Sequence, residues 1–155
     1  MIEINKKDKN KDKNLGFTLI ELLVTVSIIG ILIAISIFGL SGARESSRDA
    51  RRKSDLELIR SGLELYKADC NTYPAAITAG NSLTGTSATG TCLTTNVYIS
   101  SVPSDPIAAS RTYKYTLNGS SYTLCAALEK EPSPSMDVTG CGSCTETCNY
   151  KVTNP

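Results

Sequence analysis

The sequence predicts an α+β chain in which one long N-terminal helix, with a transmembrane half and an amphipathic half, packs against a small antiparallel β-sheet. Three observations carry this reading. An apolar run without a charge occupies Leu22 to Leu40, apolar residues at helical spacing continue beyond it with no proline before Pro74, and Tyr- and Thr-rich segments flank Asn118-Gly119. Four segments follow from the pattern: 1–16, a charged leader; 17–43, an apolar helix; 44–69, its amphipathic continuation; and 70–155, a cysteine-bearing β-sheet region. The near balance of 16 Lys plus Arg against 15 Asp plus Glu argues against a generally basic nucleic-acid binder. The absence of His excludes an imidazole base or a His metal ligand.

The leader carries Lys6, Lys7, Lys9, Lys11 and Lys13 against Glu3, Asp8 and Asp12, and shows no apolar periodicity after Ile4. A Lys-rich flank beside a membrane segment stays cytoplasmic and so sets orientation. The apolar run from Leu22 to Leu40 holds 19 residues, 14 of them Leu, Ile, Val, Ala or Phe. At a rise of about 1.5 Å per residue it spans roughly 28 Å, the thickness of a bilayer's hydrocarbon core. Its many β-branched residues do not make it a strand, because strands rarely exceed about ten residues. One carboxylate, Glu21, stands at its entrance, and a charge there is costly enough to imply a partner or a function.

The segment Leu15-Gly16-Phe17-Thr18-Leu19-Ile20-Glu21-Leu22 resembles the type IV prepilin signature: a short positive leader, Gly, Phe-Thr-Leu-Ile-Glu, then a long apolar helix. The resemblance covers residues 1–40. It implies removal of the leader after Gly16 by a prepilin peptidase and methyltransferase, with Phe17 as the new, N-methylated terminus. It gives Glu21, one turn further on, the role of neutralising the terminal ammonium of an adjacent subunit. In a low-dielectric helical core either charge alone is heavily penalised, so the pair would act as a register device. The rival reading is a secretory signal peptide cut near Ser41-Gly42-Ala43, releasing a product that begins near Arg44. Signal-peptide apolar regions run to about 7–15 residues, shorter than this one.

Beyond Ala43 the chain turns charged without a breaker, while Leu56, Ile59, Leu63 and Tyr66 recur at spacings of three and four. These four are the predicted helix–sheet packing face. Asp49 with Lys53 and Glu64 with Lys67 lie at spacings that support a helix locally. One helix is therefore expected from about Phe17 to near Asp69. The cluster Arg48-Asp49-Ala50-Arg51-Arg52-Lys53 is diluted by acids and lacks interleaved aromatics, so it reads as an exposed face for headgroups or neighbouring subunits rather than for nucleic acid.

From Cys70 to Ser104 no side chain is charged, and residues 78–95 are mostly Thr, Ser and Gly, the composition of a long surface loop. Val97-Tyr98-Ile99, Thr112 to Leu117 and Tyr122 to Leu128 read as strands, and Asn118-Gly119 as the hairpin turn between the last two. Asn149 to Val152 adds an edge strand. Asn118-Gly119-Ser120 also fits a glycosylation sequon, but the turn alone explains it. Six cysteines, Cys70, Cys92, Cys125, Cys141, Cys144 and Cys148, lie in this half. A thiolate zinc site remains an alternative, but outside the cytoplasm an even count in a small region is read first as a disulfide framework. Sequence does not choose among the fifteen pairings six cysteines allow; Cys70 with Cys92, closing the neutral loop, is the preferred one.

No catalytic constellation is visible, and no cofactor or metal is called for. Asp105, Glu129, Glu131 and Asp137 are too dispersed to define a calcium site. The resemblance implies a structural subunit of a type IV pilus-like filament, polymerised through its apolar helix. Its partners would be membrane lipids before assembly, an inner-membrane platform and ATPase, and identical or related subunits after it. The filament would then stand on the cell surface. The length, the short loops and the lack of an adhesin-like second domain favour a major, repeating subunit. The alternatives are a pseudopilin acting as a periplasmic piston of a type II secretion-like system, and an exported adhesion module. Pro103-Ser104-Asp105-Pro106 resembles a turn of the same family.

Overall fold

The computed structural model describes residues 16–154; the leader expectation for residues 1–15 lies outside them. The elements are α1 (Leu19–Cys70), β1 (Leu83–Thr84), β2 (Val97–Ile99), β3 (Lys114–Asn118), β4 (Ser121–Ala126), β5 (Ser143–Cys144), β6 (Glu146–Thr147) and β7 (Tyr150–Thr153). The arrangement is α+β, one long helix with an apolar N-terminal part plus small antiparallel sheets, and it is pilin-like. Its contacts divide into two units, the first ending at Leu40 and the second beginning at Ser41.

The first unit is the apolar part of α1. It is long and apolar enough to cross a membrane, and none of that stretch is buried within the chain. Leu19, Leu23, Ile29, Ile33 and Ile37 all stand exposed. Polar side chains inside it satisfy themselves locally. Thr25 donates to the Leu22 carbonyl, Ser27 to that of Leu23 and Ser36 to that of Leu32, each at 2.8 Å. In hydrocarbon, where no water competes, such back-bonding removes the cost of each hydroxyl.

The second unit builds its core on the C-terminal part of α1. Leu56, Ile59, Leu63 and Tyr66 form one cluster with Leu83, Ile99, Val102, Tyr122, Leu124, Ala126 and Val152. The main sheet runs β3-β4-β7, antiparallel throughout, with Tyr115 opposite Leu124 and Leu124 opposite Val152. Leu124 and Tyr122 alternate inward, as half-buried strands do. Gly119 at φ 60° makes the tight turn that joins β3 to β4. Helix α1 ends where Asn71, at φ 59°, takes the left-handed cap conformation and its N–H reaches the Lys67 carbonyl at 2.8 Å.

The neutral stretch at 78–95 departs from the expectation of an open surface loop. Leu83 is buried, β1 pairs with β2, and Ser87 bridges Leu93. Cys70 and Cys92 are joined, so the loop folds back against the end of α1. Gly85 permits this: a Cβ there would lie 2.3 Å from the Leu93 carbonyl oxygen. The other bridges are Cys125–Cys141 and Cys144–Cys148, and among the described residues no cysteine is free. They form a second, smaller cluster with Ala127 and Val138. Strand β4 stops at Ala126 rather than Leu128, and β5 and β6 are too short to have left a pattern in the sequence.

Gly62 sits where β2 crosses the helix, and a Cβ there would lie 2.2 Å from Ile99 Cγ1. Exposed Gly→Ala changes in helices gain about 1 kcal/mol, but here the added methyl would have to displace the buried side chain of Ile99. Gly62→Ala is expected to destabilise the full chain. Leu63→Ala should cost about 2–5 kcal/mol, while Leu58→Ala, on the exposed face, should stay within about 0.5 kcal/mol. Urea unfolding in detergent, followed by near-ultraviolet dichroism of the tyrosines, reads all three.

Candidate functional site

Two constellations of polar residues stand out, one in each unit. In the first, Thr18 precedes α1 and caps it. Its N–H and its hydroxyl donate to Glu21 Oε2 at 2.8 and 2.7 Å, and the Glu21 N–H donates to Thr18 Oγ1 at 3.3 Å. This is a reciprocal capping box, which satisfies donors that the first helical turn leaves unpaired. Thr18 and Glu21 have the spacing that signals such a box. The sequence reading assigned Glu21 only to assembly. Gly16 and Phe17 lie exposed just ahead of the cap, and among the described residues nothing lies within 4 Å of where a Gly16 Cβ would stand. Glu21 lies about one helical turn beyond Phe17.

The second constellation centres on Arg52, whose side chain is fully buried. Its guanidinium donates from Nε to Asp105 Oδ2 at 2.7 Å and from Nη2 to Asp105 Oδ1 at 3.0 Å, a bidentate fork. Nη1 donates to Asp49 Oδ1 and Glu129 Oε1, both at 2.7 Å. Arg48 grips the same Glu129 with a second fork, Nε to Oε1 at 2.6 Å and Nη2 to Oε2. Asp49 in turn accepts the N–H groups of Glu129 and Lys130, both at 2.9 Å. The Lys130 ammonium closes the set on Ser46 Oγ at 2.8 Å and the Gly42 carbonyl at 3.1 Å. Asp105 Oδ1 also takes the Ile107 N–H at 2.8 Å, which shapes its own turn.

This corrects one sequence expectation and adds to another. Arg52 is not part of an exposed face for headgroups or neighbours, because the segments at 105 and 129 cover it, whereas Arg51 stays largely exposed and Arg48, one third exposed, is turned to Glu129. Asp105 and Glu129, too dispersed in sequence to define a calcium site, are brought by the fold to one guanidinium. Glu131 and Asp137 stay apart, Asp137 holding the Thr139 N–H at 2.9 Å and facing Lys151. Among the described residues no group of His, Cys, Asp or Glu could hold a metal ion. Asp49 engages Arg52 and the 129–130 backbone rather than Lys53, and Lys53 and Lys67 instead cover the rings of Tyr150 and Tyr73.

Electrostatics fix the protonation of the cluster. Burial works against the Arg52 charge, but the hydrogen bonds it donates to Asp105, Glu129 and Asp49 outweigh it and strengthen its hold on the proton. The Arg48 fork, against some burial cost and with help from Arg52, lowers the Glu129 carboxyl to about 2. Carboxylates of α1 also anchor the sheet side. Glu64 accepts the hydroxyls of Tyr122 at 2.9 Å and Tyr73 at 3.1 Å, and Asp55 accepts that of Tyr113 at 2.8 Å. Burial first, and then the Glu64 bond, raises the Tyr122 pKa, so the phenol stays a donor. A cavity of about 330 Å³ lies above Ile59 and Leu124, but the Asp105, Arg111 and Tyr113 that reach it are already bonded to Arg52, Glu146 and Asp55. The geometry thus offers positioning and docking.

Because the folded Glu129 carboxyl lies well below its unfolded value of about 4.3, its stabilisation is complete above that value and is lost as pH falls toward 2. The unfolding midpoint should therefore drop as pH is lowered from about 5 to about 2, and Glu129→Gln should flatten that drop while lowering stability at neutral pH. Arg52→Met should cost about 3–5 kcal/mol, because it leaves several buried carboxylates unpaired. Thermal unfolding of the detergent-solubilised chain across pH tests both.

Comparison with known proteins places these features. The family described as prokaryotic N-terminal methylation motif matches residues 11–40, and the family described as type II secretion system (T2SS), protein G, matches residues 40–131, more than half of the chain. The type II secretion system core protein G of Escherichia coli strain K12 is 36% identical over 63 residues, which cover 41% of this chain and 43% of that protein. The protein of the same name from Aeromonas hydrophila is 36% identical over 64 residues, 41% of this chain and 45% of that one. Its Vibrio cholerae counterpart is 35% identical over 66 residues, 43% and 45%. The chain thus spans less than half the length of these relatives. No solved structure matches it. With a methylation motif leading directly into the protein G region at residue 40, the chain belongs to the type II secretion system protein G family of structural pseudopilins.

Proposed function

We propose that the protein is a pseudopilin, a membrane-anchored structural subunit that is clipped after Gly16 and polymerised through its apolar helix into a periplasmic pseudopilus of a secretion machine. The observation that carries this reading is an apolar stretch buried nowhere within the chain, opened by Gly16-Phe17-Thr18-Leu19-Ile20-Glu21. So much exposed apolar surface is not stable in water and calls for lipid or for other helices around it. The two environments correspond to the subunit before and after assembly.

The family match favours the periplasmic piston over the type IV pilus that the N-terminal motif first suggests, because residues 40–131 carry the protein G pattern. A surface pilus remains the second reading, since the cleavage motif and helix serve both filaments. Processing falls to a prepilin peptidase that also methylates Phe17. Extrusion falls to an inner-membrane platform and its ATPase. The three disulfides fit an oxidising compartment outside the cytoplasm, so the folded unit lies on the far side of the membrane from the leader.

Glu21 has two roles in this account, a cap before cleavage and a counter-charge after it, and they are separable. Gln keeps the capping geometry and removes the charge, whereas Ala removes both. Glu21→Gln should leave cleavage after Gly16 intact while abolishing filament assembly and secretion, and Glu21→Ala should do the same with a frayed first turn. Mass spectrometry of the mature chain reads cleavage and methylation. A mature product starting near Arg44 would overturn the proposal, and surface filaments without any secretion defect would turn it toward the pilus.

A further inference from the structure

The main sheet ends on an uncovered edge, and the cavity above Ile59 and Leu124 lies beside it. Strand β3 stands last in the order β3-β4-β7, so one of its two edges has no strand against it. Asn118 and Ser121 close the two-residue turn and bond to each other. The antiparallel alternation then makes Thr116 with Thr123, and Lys114 with Cys125, the bonded pairs. The N–H and C=O groups of Tyr115 and Leu117 therefore point to the free edge, and among the described residues neither finds a backbone partner outside the ladder. Unpaired groups of this kind are a template for an added strand.

Tyr113, Lys114 and Tyr115 line the cavity together with the 75–79 segment, where Ala75, Ala76 and Ala79 are exposed and leave the mouth open. At about 330 Å³ the cavity is at the small end of ligand sites, with room for apolar side chains rather than for a large ligand. Its charge is one-sided. Asp105 and Arg111 are neutralised by Arg52 and Glu146, whereas Lys114 is exposed and its ammonium has no partner among the described residues. Tyr115 lies opposite Leu124 and shares its inner face, so Lys114, one residue earlier, stands toward the outer face at the cavity's rim.

We propose that the free edge of β3 and the cavity beside it bind an extended segment of another protein by strand addition, with an apolar side chain in the cavity and an adjacent acidic side chain against Lys114. Side chains of an added strand alternate between the two faces. One that turns inward meets Ile59 and Leu124, and its neighbours turn outward to the one unpaired charge. Backbone bonds to Tyr115 and Leu117 supply affinity, while the cavity and the lysine select the sequence. A lipid acyl chain would fill the cavity but leave the strand edge unused. The inference does not rest on the filament reading.

The test titrates a fluorescent, end-capped peptide of alternating valine and glutamate against the full-length chain in lipid nanodiscs. Binding should saturate, and the same peptide with lysine in place of glutamate should bind several-fold more weakly. N-methylation of one alternate set of peptide amides should abolish binding and that of the other set should not, because only one set faces β3. Lys114→Glu should reverse the preference between the two peptides. Ala76→Trp, which plugs the mouth from an exposed position, should abolish binding of both at an unchanged thermal midpoint. The methylated peptides read the parent chain, so they decide the matter even if a variant folds poorly. A peptide that does not bind, equal loss on methylating either set, or an unaltered preference in K114E would overturn the proposal. Decanoate binding where the peptide does not would assign the cavity to lipid and overturn it as well.

Discussion

A single buried guanidinium holds the second unit together. Arg52 sits on α1, yet its partners come from the helix itself, from the turn at Asp105 and from the segment at Glu129. Replacing water around a fully buried cation demands acceptors for its donors, and three carboxylates accept four hydrogen bonds from it. Their own remaining lone pairs are then taken by backbone N–H groups at Ile107, Glu129 and Lys130. The position of two loops is thereby dictated by one residue of the helix. Hydrophobic burial along Leu56, Ile59, Leu63 and Tyr66 favours some sheet against this face; the ionic set specifies which.

The first unit obeys the opposite constraint. Among its described residues no apolar side chain is buried, the hydroxyls of Thr25, Ser27 and Ser36 are bonded back to carbonyls of the same helix, and the carboxylate of Glu21 is occupied at the cap. Its chemistry is incomplete until other apolar matter surrounds it. The chain thus joins a unit saturated within itself to one that must be saturated from outside. That division is what a subunit needs if it is to wait in lipid and later pack among its neighbours.

How much of this was legible in the sequence depends on how local each signal is. The helix, its continuation past Ala43 and the hairpin at Asn118-Gly119 follow from spacing and turn chemistry within a few residues. The Arg52 set was not legible, because Glu129 lies 77 residues away and a charged run on a helix looks solvated until something covers it. The pairing of β1 escaped for a related reason: two-residue strands in a Ser- and Thr-rich stretch have no periodicity, and Leu83 is buried because the chain turns back toward Cys70. The capping box was readable from Thr18 and Glu21. The match to the protein G family rests on residues 40–131, a stretch from which the sequence reading took no family motif beyond the turn at Pro103-Ser104-Asp105-Pro106.

The connectivity of the cross-links has a mechanical corollary. The bridges span 22, 16 and 4 residues, and the one nearest the helix attaches at its last residue, Cys70. No covalent tie joins the body of α1 to the segments at Asp105 and Glu129. Tension applied along the helix axis is therefore borne in shear by ionic, hydrogen-bonded and dispersive contacts, with Arg52 as the rivet. Such a joint yields and re-forms under load, where a sulfur–sulfur bond would have to be broken and chemically remade.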